Sequence, residues 1–117
     1  MNKRKVGEEY EELAVRYLLK QRYKIVARNF RCRIGEIDII AKDDEYYVFT
    51  EVKYRKSRWG GGPELAVNYK KQVTITKVAQ CFLMSRGLSM STPCRFDVIA
   101  FTGEDISHIR NAFMSRR

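Results

Sequence analysis

The stretch GEIDIIAKDDEYYVFTEVKYR, residues 35–55, decides the fold of this chain. Two runs rich in β-branched and aromatic residues, at positions 34–41 and 46–52, flank a polar cluster at positions 42–45. This arrangement is typical of two antiparallel strands joined by a short turn. The sequence therefore predicts a β-hairpin at the centre of the fold.

Three charged residues fall on this hairpin at positions that can share a face. Side chains alternate along a strand, so Glu51 and Lys53 point the same way. A loop of about two or four residues pairs Asp38 with Phe49 or Glu51. Because both registers leave Asp38 on the face of Glu51 and Lys53, we expect the hairpin to bring two carboxylates and one lysine together.

These charges are expected to be partly buried. The surrounding strands are nearly continuous apolar runs, the pattern of strands that are covered on both faces. Buried charge needs a partner, and an ion pair of Lys53 with Asp38 or Glu51 would supply part of it. The remaining negative charge suits a hard cation such as Mg²⁺, which binds through one or two carboxylates, carbonyl groups and water. A structural ion pair and a metal site are therefore the two interpretations of this cluster.

Apolar periodicity predicts the remaining elements. They are a helix at residues 6–22, a strand at 24–30, a helix at 70–86 that ends before Gly87, and strands at 95–102 and 106–113 around a turn at 103–105. The order is αβββαββ. Because the second hairpin strand reaches the next strand through a helix, we expect an α/β protein of the α+β kind, one domain over residues 1–117 with a mixed sheet flanked by helices.

The first helix is expected to bury an apolar stripe and to place one glutamate beside the sheet. The stripe consists of Val6, Tyr10, Leu13, Ala14, Tyr17 and Leu18. On a helical wheel Glu9 and Glu11 flank it on opposite sides, and periodicity alone does not choose between them.

The charge balance favours a polyanionic partner. The chain carries 23 Lys plus Arg against 14 Asp plus Glu, a formal net charge of +9. Such an excess favours nucleic acid through counterion release, although nonenzymatic RNA binders share it. No run reaches the length of a membrane-spanning helix, and no apolar signal core follows the charged N-terminal segment. We therefore expect a cytoplasmic protein that has no membrane partner.

A basic segment follows the hairpin directly. Arg55, Lys56 and Arg58 can neutralise phosphates, and Trp59, which precedes three glycines, can stack on a splayed base. The segment is predicted to contact nucleic acid, with an ordinary exposed loop as the alternative.

The cysteines and the single histidine predict no zinc site. Cys32, Cys81 and Cys94 lack CxxC spacing, so they are expected to be reduced packing residues. His108 is the only histidine and is interpreted as a surface or sheet-edge residue.

The order of these motifs resembles a known family. Gly7-x-x-x-Glu11 on the first helix, GEIDII at 35–40, EVK at 51–53 and RFDVIAF at 95–101 together resemble the YraN-like uncharacterised bacterial family. That family belongs to the PD-(D/E)xK nuclease superfamily and is similar to the archaeal Holliday-junction resolvases. The resemblance spans roughly residues 5–113 and implies a restriction-endonuclease-like core.

The resemblance assigns roles residue by residue. Asp38, Glu51 and Lys53 match the core motif of the superfamily, and Glu11 matches the acidic residue that resolvase members add from the first helix. Ile37 stands where the proline of the PD motif would be. The resemblance thus selects Glu11 rather than another helix glutamate.

These assignments imply a metal-dependent endonuclease that acts on DNA, branched or flapped DNA included, in preference to RNA. Asp38 and Glu51 are expected to bind Mg²⁺ or Mn²⁺ with the carbonyl of Val52, and Glu11 to complete the shell directly or through water. Lys53 is expected to orient or activate the attacking water and to stabilise charge on phosphorus. Because resolvase relatives act as dimers, a homodimer is a candidate assembly.

Two further residues have weaker assignments. In similar nucleases a basic or amide residue at the start of the second helix helps to hold the phosphate, which makes Lys71 a candidate nucleic-acid contact, with a solvated helix face as the alternative. Asp97 matches a family position at a strand start, where we expect a structural salt bridge or turn contact. A noncatalytic nucleic-acid-binding module with the same fold remains the second functional hypothesis.

Overall fold

A computed structural model describes residues 3–55 and 67–115 of the chain. Its elements are α1 (Lys3–Lys20), β1 (Lys24–Arg31), β2 (Glu36–Asp43), β3 (Tyr46–Arg55), α2 (Tyr69–Ser85), β4 (Cys94–Thr102) and β5 (Asp105–Ile109). The predicted αβββαββ order and the α+β class are confirmed.

The strands form one five-stranded sheet in the order β1-β2-β3-β4-β5. The β3–β4 pair is parallel, and the other neighbouring pairs are antiparallel. Helix α2 lies between β3 and β4 in the chain, and parallel neighbours need such a crossover. The expected mixed sheet is therefore confirmed.

The two helices cover opposite faces of the sheet and create two apolar clusters. The α1 cluster includes Ala14, Val15, Leu18, Ile39, Val48 and Ile99. The α2 cluster includes Ile40, Phe49, Ile75, Val78, Phe82 and Phe96. Because both faces are covered, the central strands are apolar on both sides, as their sequences indicate.

The buried face of α1 differs from the predicted stripe. Leu13, expected in the core, is 46% exposed, whereas Val15 is only 7% exposed. The buried face is thus rotated about the helix axis toward Val15. Residues four apart share a helix face, so Glu11 lies on the side of Val15 and Glu9 on the side of Leu13. This rotation turns Glu11 toward the sheet and leaves Glu9 exposed.

The central hairpin closes through the two-residue turn Asp44-Glu45, where Asp44 has φ of 54°. Its last paired residues are Ile39 and Thr50. One further step in that antiparallel register places Asp38 opposite Glu51. The two-residue loop is thus the one of the two predicted alternatives that forms.

Strand β5 ends earlier than predicted, at Ile109. The cause is Asn111, which has φ of 52° and donates its backbone N–H to the side-chain Oδ1 of Asp97 on β4 at 3.0 Å, instead of to a backbone carbonyl of that strand. Regular strand pairing ends there, but Ala112 N–H still donates to Phe96 O at 2.7 Å, and Phe113 remains buried and stacks on Phe96 at a ring-centroid distance of 4.9 Å.

Candidate active site

Asp38 and Glu51 meet on the central hairpin. Their carboxyl groups lie close enough that Asp38 helps to raise the pKa of Glu51. Asp38 is also fixed by the backbone of β3, because the N–H of Val52 donates to Asp38 Oδ2 at 2.8 Å. The last backbone pair of the hairpin is Ile39–Thr50, and the hydrogen bond to Asp38 lies just beyond it. The carboxylate of Asp38 therefore accepts the N–H of β3 at the point where the two strands separate, in place of a backbone carbonyl of β2.

Glu51 is a buried carboxyl that lacks a full set of partners. The residue is 7% exposed, and its Oε2 atom has no hydrogen-bond partner. Burial raises the pKa of Glu51 to about 8, helped by the charge and hydrogen bond of Asp38, while Lys71 and Lys53 act in the opposite direction. Near neutral pH the Glu51 carboxyl therefore retains its proton, at a position that a cation could occupy instead.

The two lysines approach Glu51 from different elements. Lys53 follows on the same face of β3 and is partly buried. Lys71, from the first turn of α2, places its Nζ 4.0 Å from Glu51 Oε2. That distance allows an ion pair but no hydrogen bond, so Glu51 Oε2 remains available to another ligand.

Glu11 reaches the same area from α1. Its Oε1 atom is buried and has no hydrogen-bond partner. Burial and the negative charge of Asp38 raise the pKa of Glu11, whereas a hydrogen bond with Asn29 and the charge of Arg28 lower it. The structure therefore places Glu11, and not Glu9, near Asp38.

Asn29 is a member of the site that sequence reasoning missed. The pairs Arg28–Ile39 and Phe30–Ile37 place it opposite Asp38, and its φ is 50°. Asparagine tolerates this left-handed conformation better than most residues, so an asparagine inside an otherwise apolar and basic strand was the available signal. Its contact with Glu11 links α1 to the edge of the Asp38–Glu51 pair, which we call the acidic centre.

The acidic centre fits a cation that takes few protein ligands. Within residues 3–55 and 67–115, no group of three or more His, Cys, Asp or Glu side chains is arranged to hold a metal ion. Two buried carboxyl oxygens nevertheless lack donors, Glu11 Oε1 and Glu51 Oε2. Mg²⁺ usually keeps several waters and binds through one or two carboxylates and substrate phosphates, so Asp38 and Glu51 are sufficient as direct ligands.

The predicted nucleic-acid contacts are described only in part. Arg55 ends β3, and Lys71 lies beside Glu51. Lys56, Arg58 and Trp59 lie outside the described residues. Within the part of the chain that the structure describes, no helix is long and apolar enough to cross a membrane.

Asp97 forms a separate, structural centre. It accepts hydrogen bonds from Arg95 Nε and Nη2, each at 3.0 Å, from the backbone of Asn111 at 3.0 Å, and contacts His108 Nε2 at 2.7 Å. The predicted structural salt bridge is confirmed. His108 lies on the edge strand as predicted, but the surface interpretation is wrong, because its side chain is 4% exposed and also contacts Tyr17.

The three cysteines are free, in agreement with the prediction of reduced thiols. All three are partly exposed. Cys32 and Cys94 pack against the α2 cluster, which confirms their role as packing residues.

The fold and the site define a mixed α+β protein with an acidic centre on its central hairpin. Residues 10–101 match the uncharacterised protein family UPF0102. A UPF0102 protein of Lachnoclostridium phytofermentans is 50% identical over 113 residues, covering 97% of this chain and 96% of the relative.

Two further UPF0102 proteins are similar. One from Thermodesulfovibrio yellowstonii is 50% identical over 108 residues, covering 92% of this chain and 95% of its own length. One from Geobacter metallireducens is 47% identical over 117 residues, covering 97% and 95%. The chain therefore belongs to the UPF0102 family, the YraN-like family that the motifs predicted.

Proposed function

We propose that this protein is a metal-dependent nuclease of the PD-(D/E)xK type that hydrolyses phosphodiester bonds in DNA, including branched or flapped DNA. The observation that carries the proposal is the proximity of the carboxyl groups of Asp38 and Glu51, opposite each other on the hairpin, with one buried oxygen of Glu51 left without a partner. A cytoplasmic location, expected from the sequence, and a homodimeric assembly, implied by the resemblance to resolvases, belong to the same proposal.

The electrostatic repulsion between Asp38 and Glu51 makes the pair suited to a divalent cation. Two carboxylates in contact repel each other, and burial removes the water that would screen them. The fold accommodates this cost by leaving Glu51 with a raised pKa rather than by placing an arginine against it. A divalent cation that displaces the proton would convert the repulsion into attraction, so the site is suited to Mg²⁺ or Mn²⁺.

The roles of the residues follow from their positions. Asp38 and Glu51 would hold the ion with the carbonyl of Val52, and Glu11 would bind through water, since it forms no three-carboxylate group with them. When bound, the ion would polarise the scissile phosphate and lower the pKa of the attacking water. Lys53 then orients or activates that water and donates to the phosphate oxygen on which charge develops.

Binding and positioning are assigned to basic residues outside the acidic centre. Lys71 stands 4.0 Å from Glu51 and can hold a phosphate oxygen at the edge of the pair. Arg55, Lys56 and Arg58 would neutralise further phosphates, and Trp59 would stack on an unpaired base. The formal net charge of +9 supplies the longer-range attraction to DNA.

A cleavage assay tests the proposal. Wild type and Asp38→Asn are incubated with linear, flapped and four-way DNA in Mg²⁺ or Mn²⁺. Asn keeps an oxygen that can accept the Val52 N–H, so the variant removes charge while retaining this contact. Wild type should cleave at least one substrate and Asp38→Asn none. Asp44→Asn is the matched control, because it removes one carboxylate from the turn of the same hairpin at a φ that asparagine tolerates.

The second candidate is a noncatalytic nucleic-acid-binding module. It is favoured by the raised pKa of Glu51, which keeps the centre protonated near neutral pH, and by the lack of a three-residue metal group among the described side chains. This module would bind the same nucleic acids with equal affinity in wild type and Asp38→Asn. That result, combined with no cleavage of a broad DNA and RNA panel in either metal, would replace the nuclease proposal.

A further inference from the structure

Two of the three free cysteines are far apart in sequence but lie close together in the fold. Cys32 follows the last residue of β1, and Cys81 lies on α2. The side chains of the two residues lie close enough that each thiol shifts the pKa of the other, and both residues are partly exposed. Cys94 forms a different contact, in which its Sγ donates to the carbonyl of Thr92 at 3.2 Å. The molecule therefore contains one thiol pair and one isolated thiol.

The approach of the two thiols is enforced by close packing. The turn after β1 is closed by a hydrogen bond from Cys32 N to Gly35 O at 3.0 Å. Gly35 lies so near α2 that an added Cβ would stand 2.8 Å from Thr74 Cγ2 and 3.5 Å from Val78 Cγ2. Cys81 follows Val78 by about one helical turn on the same helix. The turn that carries Cys32 is thus pressed against the face of α2 that carries Cys81.

The two thiols have different surroundings. Burial raises the pKa of Cys32, but backbone hydrogen bonds from Ile34 and Gly35 and the contact with Cys81 outweigh it and lower the pKa. The neighbouring thiol of Cys32, followed by burial, raises the pKa of Cys81. Because the thiolate is the reactive form, Cys32 is suited to attack an oxidant and Cys81 to attack the oxidised Cys32.

We propose that Cys32 and Cys81 form a redox modification site, in which hydrogen peroxide converts the paired thiols into a reversible disulfide. The Cys32 thiolate attacks one peroxide oxygen, so an S–O bond forms, the O–O bond breaks and water is released after protonation. Cys81 then attacks the sulfur of the Cys32 sulfenic acid, so an S–S bond forms and the S–O bond breaks with loss of a second water. The two thiols lose two electrons, which the peroxide gains.

The disulfide would act on the part of the chain that carries the candidate site. The loop that it closes contains Asp38, Glu51, Lys53 and Lys71. It would bind the turn leading into β2 to the helix that supports Lys71, and so restrict the relative motion of the two elements that hold the acidic centre. In a reducing compartment such a bond is expected to be transient, as is usual for sensing disulfides.

Peptide mapping tests this inference on the full-length protein. The fully reduced chain is treated with stoichiometric hydrogen peroxide, alkylated and digested. We expect an intramolecular Cys32–Cys81 disulfide, loss of two titratable thiols per chain, and recovery of both with dithiothreitol. The Cys94→Ser variant, the matched control, should show the same loss of two thiols. A reaction at Cys94 as fast as at Cys32, or disulfides that form only between chains, would overturn the inference.

Trapping of the intermediate separates the roles of the two thiols. In Cys81→Ser, dimedone should label Cys32, at a rate about tenfold above that of Cys94, because a lowered thiol pKa increases the reactive fraction. In Cys32→Ser, Cys81 should remain unlabelled. Labelling of Cys81 in that variant, or none of Cys32 in Cys81→Ser, would contradict the assignment. Circular dichroism of both variants verifies that they are folded, and none of these measurements depends on nuclease activity.

Discussion

Two buried carboxyl groups, Glu51 on β3 and Asp97 on β4, lie on adjacent strands and have opposite surroundings. In the parallel β3–β4 register, Asp97 pairs with Thr50, the residue before Glu51. Asp97 is 1% exposed and Glu51 is 7% exposed. Asp97 is connected through His108 to Tyr17 of α1, whereas Glu51 faces Lys71 of α2. The sheet thus carries one carboxyl centre toward each helix.

The difference lies in the partners of the two centres. Burial raises the pKa of Asp97, but hydrogen bonds from His108, Arg95 and Asn111 outweigh it and lower the pKa. At Glu51 burial raises the pKa and Asp38, itself an acid, raises it further. Asp97 is therefore a satisfied structural anion, whereas Glu51 is a carboxyl that holds its proton near neutral pH and has one oxygen without a partner. A buried polar atom without a partner, on a group with a strongly shifted pKa, indicates a candidate ligand-binding site.

The largest difference should appear in stability. Asp97→Asn removes the buried carboxylate that accepts from Arg95 and contacts His108, and leaves the part-buried guanidinium of Arg95 with Asp43 as its remaining carboxylate partner, so unfolding should become easier by about 3 kcal/mol. Glu51→Gln removes an unsatisfied carboxyl, so it should be neutral or stabilising at pH 8. Urea denaturation of both variants measures this contrast. Equal destabilisation by the two changes would show that Glu51 is also a structural anion.

The catalytic contrast is the next largest. If Lys53 acts in the transition state, Lys53→Ala should lower the cleavage rate by about 10², or about 2.7 kcal/mol, and leave DNA affinity nearly unchanged. Lys77→Ala, at an exposed position on α2, is the control and should leave the rate unchanged. Single-turnover cleavage and equilibrium binding measure the two quantities. Loss of affinity without loss of the maximal rate would assign Lys53 to phosphate anchoring.

The pH dependence of stability should have opposite signs at the two centres. The pKa of Glu51 is about 8 in the folded chain against an ordinary 4.5, so the folded state holds the proton more tightly. Its stabilising contribution is complete below about pH 4.5 and is lost as the pH rises through about 8. The pKa of Asp97 is lowered, so its contribution is lost as the pH falls instead.

A comparison of stability against pH for wild type and Glu51→Gln isolates the contribution of Glu51. Relative to wild type, Glu51→Gln should gain stability between pH 5 and pH 9, by on the order of 3 kcal/mol, since one pKa unit corresponds to about 1.4 kcal/mol. Thermal unfolding in metal-free buffer across this range provides the measurement. A pH-independent difference between the two curves would contradict the raised pKa.

The smallest expected effect concerns the basic segment after β3. Replacing Arg55, Lys56 and Arg58 with glutamine should reduce the slope of log affinity against log salt by up to about 0.9 for each phosphate that the variant no longer neutralises. A control variant with glutamine at Lys20, Lys24 and Lys77, three exposed positions, makes the same change in net charge. If both variants reduce the slope equally, the segment attracts DNA through net charge only and does not touch specific phosphates.

Sequence periodicity was sufficient for the element order and for the set of charges on the hairpin, but not for the hairpin register. Lys42 and Asp43 were predicted to be loop residues because they are polar, yet both belong to β2. Lys42 lies over the Tyr47 ring at 4.9 Å, and Asp43 accepts from Arg95 at 3.0 Å. These contacts join residues that are distant in sequence or on the next strand, and local pattern does not encode them.

The same limit applies to the site. Helical spacing placed Glu9 and Glu11 symmetrically about one stripe, and only the packing of Val15 against the sheet rotates α1 toward Glu11. Asn29 could not be found from periodicity, because its role depends on a left-handed backbone opposite Asp38. What periodicity does predict is the common face of the hairpin charges, since it follows from alternation along a strand.

A Mn²⁺ titration by calorimetry, at several pH values between 6 and 9, tests most directly whether the Asp38–Glu51 pair is a cation site. We predict one site per chain, with affinity that rises roughly tenfold per pH unit below pH 8 because Glu51 must release its proton. Asp38→Asn and Glu51→Gln should abolish binding, and Asp44→Asn should leave it unchanged. Binding that is independent of pH, or that survives in Glu51→Gln, would contradict a cation site at this pair.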